Sequence, residues 1–234
     1  MYSFNSRVRY SECDEKSKMT LSSLVNYFQD CSTFHSESLN LGTKYWEENH
    51  SAWVLSYWHI MIDHLPVLGE EICIGTWVYD FSRFTASRNF ILKDKDEKVA
   101  ARANTFWVYI DRETEKFKRI TEDQQRLFKR EPAYPMEETS RKVKIPSETE
   151  EMESYRVQRF CIDTNNHVNN EKYILMAMEY LPKNVAIRSL RVEYKRAAVL
   201  GDMIYPYVGK NENKMTVMLG NKEKKPYAVV EFLI

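Results

Sequence analysis

Glycine and proline are scarce, 6 and 7 among 234 residues. So few of either argues against a loop-rich or low-complexity chain. The aromatic content (11 Phe, 5 Trp, 15 Tyr) points instead to well-formed strands with aromatic faces. Surplus charge is also missing, with 34 basic residues against 34 acidic. Nucleic-acid binders usually carry a basic excess, so no nucleic-acid partner is expected. No apolar run approaches the roughly 18 to 20 residues that span a bilayer, and residues 1–9 lack the apolar core of a secretory leader. No membrane partner is expected, and a cytoplasmic setting is. Cys13, Cys31, Cys73 and Cys161 are scattered, without a CxxC pair. They read as reduced thiols, several of them core-filling. The five histidines lack ligand spacing, so neither zinc nor another cofactor is expected.

What is present is a repeated order of elements. In the first half Arg7-Val8-Arg9-Tyr10 precedes a polar stretch with Asp14. Leu21, Leu24, Val25, Phe28, Cys31, His35 and Leu39 then recur at helical spacing, with Gly42 as the expected stop. Strand-like runs follow at 52–63, 71–81, 86–94 and 99–111, the last two joined by a turn at 94–97. The second half repeats the order. A strand is expected at 156–160, a helix at 171–181 stopped by Pro182, and strands at 187–196, 202–208, 214–219 and 227–233. Val67-Leu68-Gly69-Glu70-Glu71-Ile72 resembles Val199-Leu200-Gly201-Asp202-Met203-Ile204, and Arg7-Val8 aligns with Arg156-Val157. Between the halves, a short helix at 122–130 capped by Thr121 leads into a charged stretch punctuated by Pro132, Pro135 and Pro146. The expected fold class is α+β: two tandem units, each a curved antiparallel sheet around a long helix. The expected boundaries are 1–120, a linker at 121–154, and 155–234.

The densest chemistry lies in Asp163-Thr164-Asn165-Asn166-His167-Val168-Asn169-Asn170. Asp163, Asn165 and His167 alternate, so an extended backbone would point all three to one side. A carboxylate, an amide and an imidazole together can orient water, move a proton and stabilise an oxyanion. An Asn-rich turn with Asn169 or Asn170 capping a helix accounts for the same residues. Aligning the halves places Asp163 on Asp14, Asn165 on Lys16 and His167 on Lys18. One copy therefore has the amide and imidazole, and the other has lysines.

The run Asp163-x-Asn165-x-His167-Val168-Asn169-Asn170-x-x-Tyr173-Ile174 resembles the active-site motif of acyl-acyl carrier protein (ACP) thioesterases. First-half landmarks agree: Trp53 to Ile60, then Pro66-x-Leu68-Gly69-Glu70, Thr76-Trp77, Arg83, Arg88-Asn89-Phe90, Ala101-Arg102-Ala103, Trp107-Val108 and Asp111. The resemblance implies a tandem hot-dog fold. It also implies hydrolysis of the thioester between a fatty acyl chain and the phosphopantetheine arm of ACP, which would be the partner. Carried over by position, Asp163, Asn165 and His167 become the catalytic group, and the first unit helps shape the acyl pocket. The family often carries an acid and a cysteine after a Tyr-Arg-Arg run. Here Tyr194-Lys195-Arg196 is followed by Ala197 and Ala198. Neither a thiol nucleophile nor an acid base is available there, so direct attack by water is expected.

Other residues read as structural. Cys161 falls on the Asp163 side of a strand but reads as a buried, inert thiol. His35 and His59 read as satisfied core or interface histidines, His50 and His64 as loop residues, and Glu179 as structural. An acyl-CoA thioesterase and a non-catalytic acyl-thioester-binding protein are the alternative functions. Both monomer and homodimer fit the pattern.

Overall fold

The apolar stripe of residues 21–38 becomes α1 (Leu21–Ser38) in the computed structural model, which describes residues 1–137 and 139–234. Leu21, Leu24, Val25, Phe28, Cys31 and His35 form its buried face, at spacings of three and four. Thr20 starts the helix by accepting the Ser23 N–H on its hydroxyl. Asn40 ends it in a left-handed conformation (φ 57°), with the Leu41 N–H returning to the Ser36 carbonyl. Gly42 is therefore not the stop. It is the N-cap of a short helix that periodicity did not reveal, α2 (Thr43–Glu48).

The chain divides into two units, Met1–Ser56 with Ile60–Glu138, and Tyr57–His59 with Thr139–Ile234. The first contains β1 (Tyr2–Arg7), α1, α2, β2 (Ser51–Ile62, apart from 57–59), β3 (Glu71–Phe81), β4 (Thr85–Lys93), β5 (Val99–Asp111) and α3 (Glu122–Leu127). Its strands run in the order β1-β3-β4-β5-β2, and the pairs β1·β3, β3·β4 and β4·β5 are antiparallel. α1 packs on β3 and β1. Phe28 and Phe90 meet beneath it at 5.3 Å, both fully buried. Each such ring contributes about 1.5–3 kcal/mol on burial. Arg88 is also buried there. It donates to His35 Nδ1 (3.1 Å) and Thr76 Oγ1 (3.3 Å), and its guanidinium lies over the Phe128 ring. Burial, then the Arg88 charge, pushes His35 down to about 3, so this core histidine is neutral.

The second unit contains β6 (Glu150–Glu151), β7 (Tyr155–Arg156), α4 (Asn170–Met178), β8 (Ser189–Tyr194), β9 (Met203–Asn211), β10 (Lys214–Gly220) and β11 (Pro226–Leu233). The order β8-β11-β10-β9-β6 is antiparallel through its β8·β11, β11·β10, β10·β9 and β9·β6 pairs, with β7 also pairing β9. α4 lies against β10 and β11. Two sequence expectations need correction. The strand expected over 156–160 is only β7, because the chain tightens into a 3-10 turn at Arg159–Cys161. The helix expected to run to 181 ends at Met178. Its last bonds, Tyr180 N–H to Ala177 and Leu181 N–H to Met178, span three residues rather than four.

Duplication is visible atom by atom. Val8 N–H donates to the Glu70 carbonyl (3.0 Å) as Val157 N–H does to Asp202 (2.8 Å). Val67 N–H donates to the Glu70 carboxylate (3.0 Å) as Val199 N–H does to that of Asp202 (3.1 Å). Gly69 and Gly201 both take positive φ, 80° and 89°, a conformation open to glycine without strain. Both units are α+β and of the hot-dog type.

Candidate active site

The segment 163–167 is not extended. It is a closed five-residue turn, and the turn needs its first side chain. Asp163 N–H donates to the His167 carbonyl (2.8 Å), and Asn166 N–H to the Asp163 carbonyl (3.1 Å). The carboxylate folds back, with Oδ1 accepting from Asn165 N–H (2.8 Å) and His167 N–H (3.3 Å). Asn166 sits at φ 62°, a region asparagine tolerates better than most residues. The expectation that alternation aligns Asp163, Asn165 and His167 on one strand face therefore fails. A side chain that captures nearby N–H groups competes with strand geometry, and here it prevails.

This turn is a recurring device in the chain. At 14–18, Asp14 Oδ1 accepts from Lys16 and Lys18 N–H, both 2.9 Å, with Ser17 at φ 59°. At 94–98, Asp94 Oδ1 accepts from Asp96 and Lys98 N–H, both 2.9 Å, with Glu97 at φ 60°. At 221–225 an asparagine opens the turn: Asn221 Oδ1 accepts from Lys225 N–H (2.9 Å), and Lys224 is at φ 58°. Asp163 thus does what Asp14, Asp94 and Asn221 do at three other turns.

The rest of the motif fastens the turn to its surroundings. Ile162 and Val168 form an isolated antiparallel bridge, as Cys13 and Met19 do in the first unit. Val168 N–H donates to the Ala198 carbonyl (2.9 Å), and Asn169 N–H to the Cys161 carbonyl (2.8 Å). Asn169 caps α4 by accepting the Glu171 N–H on its side chain (3.0 Å). The helix that begins here presents its positive end toward the turn. Asn165 and His167 are exposed, and Asp163 is half-buried. One backbone frame therefore presents a carboxamide and an imidazole in the second unit, and two lysines, Lys16 and Lys18, in the first.

Just beyond β8, positions 197 and 198 are alanines, which offer neither an acid nor a thiol. Ala198 is fully buried and Ala197 exposed. Cys161 is buried within its 3-10 turn, so it is not displayed beside Asp163 as strand alternation predicted. Glu179 is the exposed C-cap of α4. Sequence reasoning passed over two buried groups in the first turns of α4. Glu171 is 1% exposed, with Lys172 Nζ at 3.1 Å from its carboxylate. Tyr173 accepts the Ala198 N–H on its hydroxyl (2.8 Å), and burial pushes its phenol up to about 12. Their signal was a polar residue on the inner face of a short apolar helix. Among the described residues no three His, Cys, Asp or Glu side chains converge as metal ligands, and no helix is long and apolar enough to cross a membrane.

Comparison with known proteins decides the lineage. A family profile for the acyl-ACP thioesterase N-terminal domain matches residues 1–128, and one for the C-terminal domain matches 144–225. The chain belongs to the acyl-ACP thioesterase family. Among curated relatives, the chloroplastic oleoyl-acyl carrier protein thioesterase 1 of Arabidopsis thaliana is 26% identical over 219 residues. That match covers 84% of this chain and 60% of the relative. The chloroplastic palmitoyl-acyl carrier protein thioesterase of Gossypium hirsutum is 22% identical, covering 84% and 52%. The chain thus spans about 60% or less of the length of these relatives. An acyl-ACP thioesterase from Bacteroides thetaiotaomicron has the same fold, with TM-score 0.91 and 23% identity over 99% of this chain and 96% of that one. The 12:0-ACP thioesterase from Umbellularia californica gives TM-score 0.87 and 16% identity over 99% and 96%.

Proposed function

We propose that this acyl-ACP thioesterase family member hydrolyses fatty acyl-ACP by direct attack of water, with Asn165 and His167 acting from a turn that Asp163 holds closed. One observation carries the reading. Two turns of the same backbone geometry open helices α1 and α4, and only the second presents an amide and an imidazole. Family membership and the activity named for the relatives give that pair its reaction.

The chemistry follows from the groups present. His167 takes a proton from water as its oxygen attacks the thioester carbonyl carbon. The Asn165 carboxamide donates to the oxyanion that forms, reinforced by the positive end of α4. Collapse of the tetrahedral intermediate breaks the C–S bond. His167 then returns its proton to the departing pantetheine sulfur, leaving a free fatty acid and the carrier thiol. Ala197 and Ala198 supply neither acid nor thiol, so no acyl-enzyme is formed at that strand end. Asp163 Oδ1 is engaged with two backbone N–H groups. Its oxygen therefore holds closed the turn that carries His167.

The test is fatty acid release from one acyl chain presented on ACP and on CoA. Asn165→Ala and His167→Ala are compared with Lys16→Ala and Lys18→Ala, which alter the equivalent positions of the first unit. Loss in the first pair alone, with ACP preferred, supports the reading. Equal activity in all four variants would sink it, and preference for CoA would change the carrier.

A further inference from the structure

We propose that Tyr173 is a positioning residue for this site, present because residue 198 there has a backbone N–H that must be satisfied. The inference deepens the reading above, since it concerns how the turn bearing Asn165 and His167 is held.

Two hydrogen bonds in series run from α4 to the turn. Tyr173 Oη accepts from Ala198 N–H (2.8 Å), and the Ala198 carbonyl accepts from Val168 N–H (2.9 Å). Val168 directly follows His167. Ala198 is fully buried and Tyr173 is 2% exposed, so water does not replace a lost partner cheaply. The tyrosine ring is itself fixed by an edge contact with Tyr194 at 5.9 Å. Tyr194 in turn donates to the Asn170 carbonyl in the first turn of α4 (2.9 Å).

The first unit solves the same problem differently. Its matching bond runs from Met19 N–H to the Pro66 carbonyl (2.8 Å), so Pro66 stands where Ala198 does. Four residues beyond the helix caps, Thr20 and Asn169, stand Leu24 and Tyr173. Proline has no N–H to satisfy, and the corresponding helix position is apolar, with Leu24 fully buried. The chain therefore contains two internally consistent pairs, Pro66 with Leu24 and Ala198 with Tyr173. Only the second ties the helix to the strand end that anchors the site.

The experiment compares Tyr173→Phe with Tyr173→Phe/Ala198→Pro in the full chain. Phenylalanine keeps the ring that meets Tyr194 and removes the hydroxyl that accepts the Ala198 N–H. In Tyr173→Phe the Val168 amide should exchange with solvent about tenfold faster, the effect of one unsatisfied buried N–H. kcat should fall about tenfold with KM held within about twofold, because the turn is loosened rather than the substrate contacts. Adding Ala198→Pro removes the unsatisfied N–H and should restore both readouts. Wild-type exchange and kcat in Tyr173→Phe would overturn the proposal, as would a double variant no better than the single. If Tyr173→Phe does not fold, Tyr173→Leu/Ala198→Pro, which imports the first unit's pair, should fold with slow Val168 exchange. Its failure to do so would also overturn it. Amide exchange needs no turnover, so a wild-type chain that releases no fatty acid would sink the functional reading and leave this one to its own result.

Discussion

Replacing Asp163 by asparagine and by alanine separates two roles that its place in the motif leaves entangled. If the carboxylate mainly closes the turn, an asparagine oxygen can take over, because Asn221 opens a turn of the same kind with its carboxamide. If the carboxylate is itself the base, both replacements remove it equally. The structural contribution can be bounded. Oδ1 accepts two backbone N–H groups, one well placed at 2.8 Å and one long at 3.3 Å. Hydrogen bonds to a charged acceptor contribute about 1.5–3 kcal/mol each when well made and sheltered. Asp163 is half-buried and its second bond is poor, so the two together amount to roughly 1–3 kcal/mol.

Asp163→Ala should therefore lower Tm by a few degrees, at about 2–4 °C per kcal/mol for a chain of this size. It should also cut kcat by one to two orders of magnitude, about what 1–3 kcal/mol of lost turn closure removes from the working population. Asp163→Asn should keep Tm within about a degree and lose less than about tenfold in kcat. Asp14→Ala is the control, because it removes two 2.9 Å bonds from the equivalent turn of the first unit. Its Tm should fall as far as that of Asp163→Ala while kcat is spared. The assay is fatty acid release from acyl-ACP beside thermal unfolding. Asparagine as damaging as alanine, at a loss of about a hundredfold or more, would refute the anchoring role and return Asp163 to acid–base work.

Further outcomes follow from other parts of the molecule. Asn165→Ala should lower kcat by about a hundredfold to a thousandfold with little change in KM, as for removal of an oxyanion donor, measured in steady state. Iodoacetamide should leave kcat unchanged, because Cys161 is buried and residue 198 is alanine; inactivation tracking modification of Cys161 would contradict this. Stability should decline as pH falls below about 6.5, since His35 is depressed to about 3 in the fold. The unfolded chain then binds a proton that the folded chain refuses, and the loss deepens until the folded value is reached. His35→Gln, which still offers Arg88 an acceptor, should flatten that part of the Tm-versus-pH curve.

The sheets were the most legible part of the sequence, for a physical reason. β3 and β5 coincide with the runs expected from β-branched and aromatic content, because long strands of such residues have few other ways to pack. The register that aligned Arg7-Val8 with Arg156-Val157 placed Asp163 on Asp14, and both acids perform the same backbone task. Less legible were elements whose form depends on one or two side-chain bonds. α2 rests on six residues after Gly42, and α1 stops at Asn40 rather than at the glycine. At the site, period-two alternation was the wrong rule, because it presumes an extended backbone that Asp163 forbids.

That misreading bears on what the motif is for. An aspartate followed two residues later by an amide and four residues later by an imidazole looks like a catalytic triplet when read as a line. In three dimensions the aspartate faces inward to the backbone, as its counterpart Asp14 does in a copy with no such chemistry. The difference between the copies therefore singles out the pair on which the proposed function rests: Lys16 becomes Asn165, Lys18 becomes His167, and the frame does not change. The same subtraction exposes the supporting change from Pro66 and Leu24 to Ala198 and Tyr173. A duplicated chain carries its own control: the aspartate common to both copies closes the turn, and the residues that differ are the ones the proposed chemistry and its support rest on.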